Sequence, residues 1–468
     1  MSPYLSAPAW LDSGDTAWQL AASSLVGLQS IPGLAILYAG LAKKKWALNS
    51  AVMCFYAFAA VLLVWSLWGY NMAFGRPLHL PGPAFLQATV GIPGPALDAN
   101  ALLGQAFIPL ASAGMPALHF SGSVLVYFQF VFAAITPILI AGAVLGRMNF
   151  KAWMIFVPLW TTFSYCIGAF MLWGGGWLSQ LGAVDYSGGY VIHLAAGISG
   201  FVAAAMVGPR LLEDKRDFEP HNLIIALCGA GLLWLGWNGF NGGGSYFAGA
   251  NAGAAVLNTN LATATALLVW LVLDMFSLGH PSAVSMINGM ITGLVAITPC
   301  AGYVDGFGAI AVGLAAGLIP WLSLNKLGRW SFLNRVDDTF SVLHTHGVAA
   351  VVGGLMVGLV ANPKMIVYLS SSKGTPPVSV SGLFYGGGLT QLKAQLIAAL
   401  VIIVLNVAAT YLILKVVSVF VPLRASDGEV EGGDLAIHGI DPVPMQRMAT
   451  VVECVNCGSS DAHLAHHQ

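Results

Sequence analysis

Two histidines occupy corresponding positions in the two halves of this sequence. His193 ends the segment Asp185-Tyr-Ser-Gly-Gly-Tyr-Val-Ile-His, and His346 ends Asp338-Thr-Phe-Ser-Val-Leu-His-Thr-His, so an aspartate precedes each histidine by eight residues. A neutral imidazole accepts one hydrogen bond and donates another, and can relay protons. Ionisable groups in such apolar surroundings are costly and usually functional. The pattern predicts a functional histidine pair, and its repetition favours a transporter built from two repeats.

The composition is that of a membrane protein. Of 468 residues, 57% are apolar and only 8% are charged, whereas about a quarter are charged in a soluble domain. The net charge of -1 gives no basic field for nucleic acid, so lipid is the expected surrounding. Glycines spaced four residues apart predict close helix packing, at Gly289/Gly293, Gly313/Gly317 and Gly354/Gly358.

Eleven apolar stretches have about the 20 residues that a membrane-spanning helix needs. We predict an all-α membrane protein with spans near Asp15–Leu41, Asn49–Phe74, His119–Leu145, Ala152–Gly174, Ser187–Val207, Asn222–Phe240, Ala255–Ser277, Ser282–Thr298, Ala309–Leu324, Ser341–Val360 and Leu392–Val416. Residues 1–416 then form the membrane domain and residues 417–468 a polar tail. The first 18 residues lack a basic segment, so no cleaved signal peptide is expected.

The distribution of basic residues predicts the orientation. Most lysines and arginines fall in loops on one side, and only Arg76, Lys364, Lys373 and Lys393 fall on the other. The positive-inside rule then places the amino terminus outside and the tail in the cytoplasm. Spans one to five and six to ten make two halves, and five is odd, so the halves must be inverted. Span eleven is expected to brace the bundle.

The segments expected to face water carry no recognisable catalytic motif. No Ser/His/Asp order, P-loop or intact metal triad lies on an aqueous face, so we expect neither an enzyme nor a bound cofactor. Four cysteines in apolar stretches are expected to pack as small hydrophobic side chains. One metal hypothesis stays open in the tail, where Cys454 and Cys457 precede His463, His466 and His467.

Several motifs in order resemble the ammonium transporter family, which comprises the Amt, methylammonium-permease and Rhesus proteins. The resemblance runs from about residue 16 to 440 and rests on Ile31-Pro-Gly-Leu, Met171-Leu-Trp-Gly-Gly-Gly, the Asp185–His193 segment, Gly236-Trp-Asn-Gly-Phe-Asn, Ile297-Thr-Pro-Cys-Ala-Gly and His344-Thr-His-Gly. Asn258-Thr-Asn and the His-Thr-His motif are most similar to the methylammonium-permease and plant type-two branch. The resemblance implies eleven helices in inverted repeats, one pore per subunit, and a homotrimer in the cell (inner) membrane.

The resemblance also implies roles for individual residues. His193 and His346 match the twin pore histidines, which share a hydrogen bond. The recruiting aromatics and the phenyl gate correspond to Phe128, Phe132, Trp173 and Phe240, and Trp237 matches a pore-wall position. Asp185, about 12 Å before His193 if the segment is one helix, would organise the outer vestibule. Asp338 is expected to bind backbone amides or Arg335. His344 is either a packing residue bonded to a backbone carbonyl or a second relay group.

These residue types suit the discrimination of ammonium from potassium. Aromatic faces attract a cation weakly, and a dry constriction then penalises any species that stays charged. Only ammonium can release a proton and pass as a neutral molecule. The sequence therefore predicts recruitment of ammonium, deprotonation, and passage of ammonia beside the histidines with net charge movement.

The sequence departs from the family pattern at three places. The vestibule serine is replaced by Gly244, with Ser245 beside it, so the hydrogen bond of that serine to the ion is in question. After the third span many family members have Ala-Glu-Arg, whereas this sequence has Leu145-Gly-Arg147 and lacks the acidic residue. The tail motif Gly433-Asp434-Leu-Ala-Ile-His438-Gly is kept, but the following residues differ. A PII-type regulatory protein is the partner that such a tail implies.

Alternative functions follow from the same features. A sensor would bind ammonium and signal through an added domain, and the tail offers no such domain. A neutral gas channel of the Rhesus type usually lacks the aromatic residue found at Trp173. Transport of ammonium or ammonia is the function that the sequence favours.

Overall fold

A computed structural model describes residues 7–111, 115–216, 219–367 and 379–441, and these ranges contain helices and isolated β-bridges but no strand. The apolar helices, in chain order, are α1 Ser13–Leu41, α2 Lys44–Phe74, α3 Gly122–Val144, α4 Phe150–Gln180, α5 Gly189–Val207, α6 Leu223–Ser245, α7 Ala250–Leu278, α8 Ala283–Ile297, α9 Gly306–Arg329, α10 Leu343–Val360 and α11 Thr390–Phe420. Two short helices follow, α12 Asp427–Gly432 and α13 Asp434–His438.

All eleven predicted stretches contain helix, and the all-helical prediction is confirmed. Within the described ranges ten of these helices are long and apolar enough to cross a membrane. The exception is α8, which has 15 residues, fewer than the roughly 20 that a span needs. The predicted tail cysteines and histidines lie outside the described residues.

Polar side chains fix the beginnings of several helices. Asp12 caps α1, Asn222 caps α6, and Ser282 caps α8, each by accepting hydrogen bonds from backbone amides of the first turn. Asp305 caps α9 and also accepts hydrogen bonds from Asn362 and Tyr385. These amides have no partner within their own helix, so the caps place the helix ends more sharply than the apolar runs do.

Glycines allow several helices to approach closely. A Cβ atom on Gly293 or Gly313 would lie 2.7 or 2.6 Å from an atom of α7. At the crossing of α5 and α10, a Cβ atom on Gly197 would lie 2.4 Å from the backbone nitrogen of Gly347. The two histidine-bearing helices therefore meet backbone to backbone, as the small residues after each histidine allow.

Both histidine-bearing helices begin with a wide helical turn. The π-helical turns are Gly189–Leu194 in α5 and Leu343–Val348 in α10. The preceding residues Asp185–Gly188 are not helical, and Gly188 has a φ of 108°. The assumption that one continuous helix separates Asp185 from His193 is therefore wrong. The chain turns back at Gly188, and this turn places the carboxylate over the first turn of α5.

Three loops and the tail are joined at the end of the bundle where α2 and α4 begin. Arg147 is fully buried, and it donates hydrogen bonds to Gly208 O at 2.8 Å, to Thr339 Oγ1 at 2.6 Å and to the backbone carbonyl of Asp337. Arg210 Nη2 lies 2.8 Å from Asp337 Oδ1. In the tail, the Asp434 carboxylate accepts hydrogen bonds from the backbone amides of Leu48 and Asn49 at 2.8 Å. These contacts hold the loops and the described part of the tail against the helices.

Candidate functional site

An open cavity of about 300 Å³ lies at the opposite end of the bundle from Arg147. Its wall contains four of the predicted site residues, which are Phe128, Phe132, Trp173 and Asp185. Gln129, Tyr186, Ser187, Gly244, Tyr246 and Tyr303 also line it. The cavity thus combines aromatic faces with a small number of polar groups.

Phe132 is the centre of an aromatic cluster below this cavity. Its ring centroid lies 4.8 Å from that of Phe128, 6.2 Å from that of Trp173 and 4.6 Å from that of Phe240. All three pairs are edge-to-face, which is a favourable aromatic geometry. The Phe132 and Phe240 side chains are buried. Their contact lies where the sequence predicted a constriction, and that role stays a prediction.

The two histidines lie directly beyond the constriction. His193 Nδ1 is 3.2 Å from His346 Nδ1, so one ring donates this hydrogen bond and the other accepts it. The His193 ring stacks on Phe240 and Trp237, with centroids 5.7 and 5.1 Å apart. Nε2 of His193 is buried without a partner among the described residues. Within the described residues, the pair therefore leaves this ring nitrogen of His193 without a hydrogen bond.

The carboxylate of Asp185 is occupied by backbone amides. It accepts hydrogen bonds from Gly188 N at 3.1 Å, Tyr190 N at 2.9 Å and Val191 N at 3.0 Å. Its backbone carbonyl accepts a hydrogen bond from Trp173 Nε1 at 2.7 Å. Asp185 thus fixes the wide turn that carries His193 and also orients the vestibule tryptophan.

Asp338 has the corresponding place before His346. Its Oδ2 accepts a hydrogen bond from Leu343 N, the first residue of α10, at 2.8 Å. Of the two partners considered from the sequence, the backbone amide is therefore the one observed. Both histidine-bearing wide turns are capped by the aspartate that precedes them.

The remaining predicted residues fall into two groups. Trp237 packs on His193 and donates a hydrogen bond from Nε1 to Thr298 Oγ1 at 2.9 Å, which fixes its ring against the histidine. His344 lies apart from the pair, with Nδ1 2.8 Å from the hydroxyl of Ser323. The structure thus gives His344 a side-chain partner rather than the backbone carbonyl that the packing interpretation expected.

The sequence did not single out Ser187, Gln129 or Tyr246 in the cavity wall. Gln129 Nε2 donates to the Tyr246 hydroxyl at 2.7 Å, and Tyr246 has a φ of 63°, which is unusual for a bulky residue. Ser187 lies in the quoted Asp185–His193 segment. Its position two residues after Asp185 in that motif was the only feature of the sequence that could have indicated a role for Ser187. Tyr246 follows Ser245, whose hydroxyl donates to Phe247 O at 3.0 Å.

Comparison with known proteins agrees with this arrangement. The profile described as Ammonium Transporter Family matches residues 17–441. The chain belongs to the ammonium transporter family. Since this is a family of transporters, the chain is a multi-pass membrane transporter and not an enzyme.

Plant members of the ammonium transporter family resemble the chain over most of its length. Ammonium transporter 2 of Arabidopsis thaliana is 53% identical, with 92% of this chain and 88% of that protein covered. Ammonium transporter 3 member 2 of Oryza sativa subsp. japonica is 51% identical, with 92% and 89% covered. The predicted similarity to the plant type-two branch is confirmed.

Solved structures of the ammonium transporter family share the fold. The crystal structure of Saccharomyces cerevisiae Mep2 matches with a TM-score of 0.75 at 29% identity, covering 90% of this chain and 89% of that chain. The structure of a sensor Amt protein matches with a TM-score of 0.76 at 26% identity, covering 91% and 98%.

Proposed function

We propose that this chain takes up ammonium from the outer side and passes its nitrogen through the constriction as neutral ammonia. The observation that carries the proposal is the continuous series of contacts from Trp173 through Phe132 and Phe240 to His193 and His346. Each member is one of the residues that the sequence singled out. Membership in the family and the names of the plant relatives, which are ammonium transporters, support ammonium as the substrate.

Recruitment takes place in the outer cavity. Trp173 and Phe132 present aromatic rings that attract a cation through their quadrupoles, by about 0.5–2 kcal/mol depending on hydration. Asp185 adds a negative charge that is already held by backbone amides, so it contributes a field rather than a direct ligand. A potassium ion experiences the same attraction, and recruitment alone therefore does not discriminate.

Discrimination takes place at the constriction. The rings of Phe132 and Phe240 lie 4.6 Å apart and offer no polar atom to replace the hydration of an ion. A charge that loses its hydration without compensation is strongly disfavoured. Ammonium avoids this cost by leaving its proton behind, whereas potassium has no neutral form.

The histidine pair supports both products of the deprotonation. Ammonia can hydrogen-bond to the ring nitrogen of His193 that has no partner among the described residues, while the Nδ1 atoms share the hydrogen bond between the rings. The proton that ammonium releases is taken up at Nε2 of His193, the proton of the Nδ1–Nδ1 hydrogen bond shifts to His346, and His346 releases its Nε2 proton toward the inner side, so neither ring keeps a charge. The net movement is then one positive charge for each ammonia.

The architecture proposed for this function is two inverted five-helix repeats, with α8 as the eighth of eleven spans and α11 as a brace. It is supported by the matching order of aspartate, wide turn and histidine in α5 and α10. With the distribution of basic loops, this gives an external amino terminus and a cytoplasmic tail after a membrane domain of residues 1–416. A homotrimer in the cell membrane, with a PII-type protein at the tail, completes the proposal by analogy with the family.

The decisive experiment is a current measurement on proteoliposomes containing the purified protein. We expect ammonium pulses to give a saturable inward positive current, methylammonium a smaller one, and potassium none. Equal currents for ammonium and potassium would refute the selectivity argument. Ammonia flux without current would instead support electroneutral passage as in a neutral gas channel.

A further inference from the structure

The outer cavity contains a buried hydroxyl group that the folded chain leaves without a partner. Ser187 is 3% exposed and lines the cavity, and its Oγ makes no hydrogen bond to any described residue. Leaving a buried hydroxyl unpaired is costly, by about 1–3 kcal/mol. An unpaired group of this kind in a native structure needs an explanation, and a ligand that supplies the missing hydrogen bond is one.

The position of Ser187 is fixed by its backbone. Its amide donates to Thr298 O at 3.2 Å, and the amide of Tyr186 donates to Pro299 O at 3.2 Å. These bonds join the Asp185–Gly188 turn to the end of α8. The hydroxyl therefore belongs to a rigid part of the wall, beside the aromatic residues Phe128, Phe132 and Trp173 that line the same cavity.

Ser187 and Gly244 compete for one volume. A Cβ atom on Gly244 would lie 2.4 Å from Ser187 Oγ and 3.0 Å from both a ring atom and the backbone oxygen of Tyr186. No side chain fits at position 244 while Ser187 keeps this place. The neighbouring Ser245 does not replace it, because its hydroxyl is directed to Phe247 O.

We propose that Ser187 Oγ is the hydrogen-bond acceptor for ammonium in the outer cavity and supplies the hydroxyl that is missing at position 244. The inference rests on the proposed function, since it names the residue that holds that substrate. An N–H group of ammonium donates to Ser187 Oγ, and the aromatic faces contact the rest of the ion. A hydrogen bond to a charged group is among the stronger ones.

The test is an ammonium concentration series of the transport current for three variants. Ser187→Ala is expected to raise the half-saturating ammonium concentration about tenfold, which corresponds to one charge-assisted hydrogen bond. The maximal current should stay within about twofold, because the constriction and the histidines are unchanged. Ser245→Ala is the matched control and should leave the half-saturating concentration within about twofold of the wild type.

The reciprocal swap tests position rather than mere presence of a side chain. Ser187→Ala removes the atom that lies nearest to a side chain at 244 and leaves the two Tyr186 atoms at 3.0 Å, which need to shift by only a few tenths of an ångström. Gly244→Ser in the same chain then returns a hydroxyl to the cavity. The double variant should recover most of the lost affinity. The assignment is overturned if Ser187→Ala alone leaves the half-saturating ammonium concentration unchanged. It is also overturned if the double variant recovers none of the lost affinity.

Two further outcomes keep the test decisive. If Ser187→Ala prevents assembly, Ser187→Cys is the variant to use, because a thiol fills the space of the hydroxyl but is a weaker hydrogen-bond acceptor. A half-saturating ammonium concentration equal to that of the wild type in Ser187→Cys would overturn the assignment. A wild-type protein without any ammonium-dependent current or flux refutes the proposed function itself. Normal wild-type transport with no effect of the variants refutes only the role of Ser187.

Discussion

At the scale of single residues, the proposed selectivity depends on the absence of a fixed charge beside Phe240. His193 is fully buried and stacks on the rings of Trp237 and Phe240. Replacing it by aspartate would place a carboxylate beside these rings. That charge would stabilise an intact cation, so the deprotonation step of the proposed mechanism would no longer be required.

We expect His193→Asp to admit potassium. Potassium pulses should give a clear current where the wild type gives none, and ammonium currents should persist or grow. The measurement is paired potassium and ammonium currents in proteoliposomes, normalised to the amount of reconstituted protein. A variant that stays silent to potassium while it transports ammonium would show that the histidine does not exclude charge.

His346→Ala removes the partner of the 3.2 Å hydrogen bond and leaves an apolar wall. We expect the ammonium current to fall by at least about tenfold, because proton transfer groups typically contribute 10²–10⁴-fold, while the protein still assembles. His344→Ala is the matched comparison and should retain at least about half of the current, since His344 is bonded to Ser323 outside the pair. Loss of transport in His344→Ala alone would move the relay to the other histidine of the motif.

At the scale of elements, the pairing of the histidines depends on how closely α5 and α10 cross. Gly197→Ala puts a methyl group where only 2.4 Å separates it from Gly347 N. We expect an overpacking cost of about 1–3 kcal/mol, seen as a lower apparent melting temperature in detergent. Gly231→Ala in α6 is the control, because a Cβ atom there meets nothing within 4 Å. Equal melting temperatures for both variants would contradict a tight crossing.

The helices were largely predictable from the sequence, and the turns were not. Long apolar runs can satisfy their backbone only as helices in a membrane, so all eleven stretches were found. The wide turns at His193 and His346 leave no compositional trace, because they change the hydrogen-bond spacing and not the residue types. The reversal at Gly188 was missed for a related reason, since a pair of glycines fits a packed helix as well as a turn.

The site was predictable where a residue type alone reveals its role. Two histidines in apolar segments are costly enough to indicate function before any contact is known. Ser187 gave no such signal, because a serine is ordinary in either setting. Whether its hydroxyl finds a partner depends on how the Asp185–Gly188 turn meets the end of α6, and only the folded chain shows that.

At the scale of the whole molecule, one carboxylate joins loops from both halves of the chain. Asp337 lies in the loop before α10, and its carboxylate forms an ion pair with Arg210, which follows α5. Arg147, which follows α3, donates a hydrogen bond to the backbone carbonyl of Asp337. Burial by itself would raise the pKa of the Asp337 carboxyl, but the hydrogen bonds and charge of Arg210 lower it to about 2.

This ion pair predicts a pH-dependent contribution to stability. The folded pKa of Asp337 lies below the usual value of about 3.9, so the stabilisation is present above pH 4 and is lost as the pH falls through 2. We expect Asp337→Asn to lower the free energy of unfolding by about 1–3 kcal/mol at pH 7. The difference from wild type should shrink between pH 4 and pH 2 in melting curves. A difference that is constant over this range would exclude the ion pair as its source.

The close approach of positions 187 and 244 links the directions of their two side chains. A Cβ atom on Gly244 would lie 2.4 Å from Ser187 Oγ, so a side chain at 244 would require this hydroxyl to turn to another rotamer. A protein with serine at both positions is therefore expected to hold the Ser187 hydroxyl in a different direction from the one it has here. The glycine at 244 thus sets where the neighbouring hydroxyl points, although it has no side chain of its own.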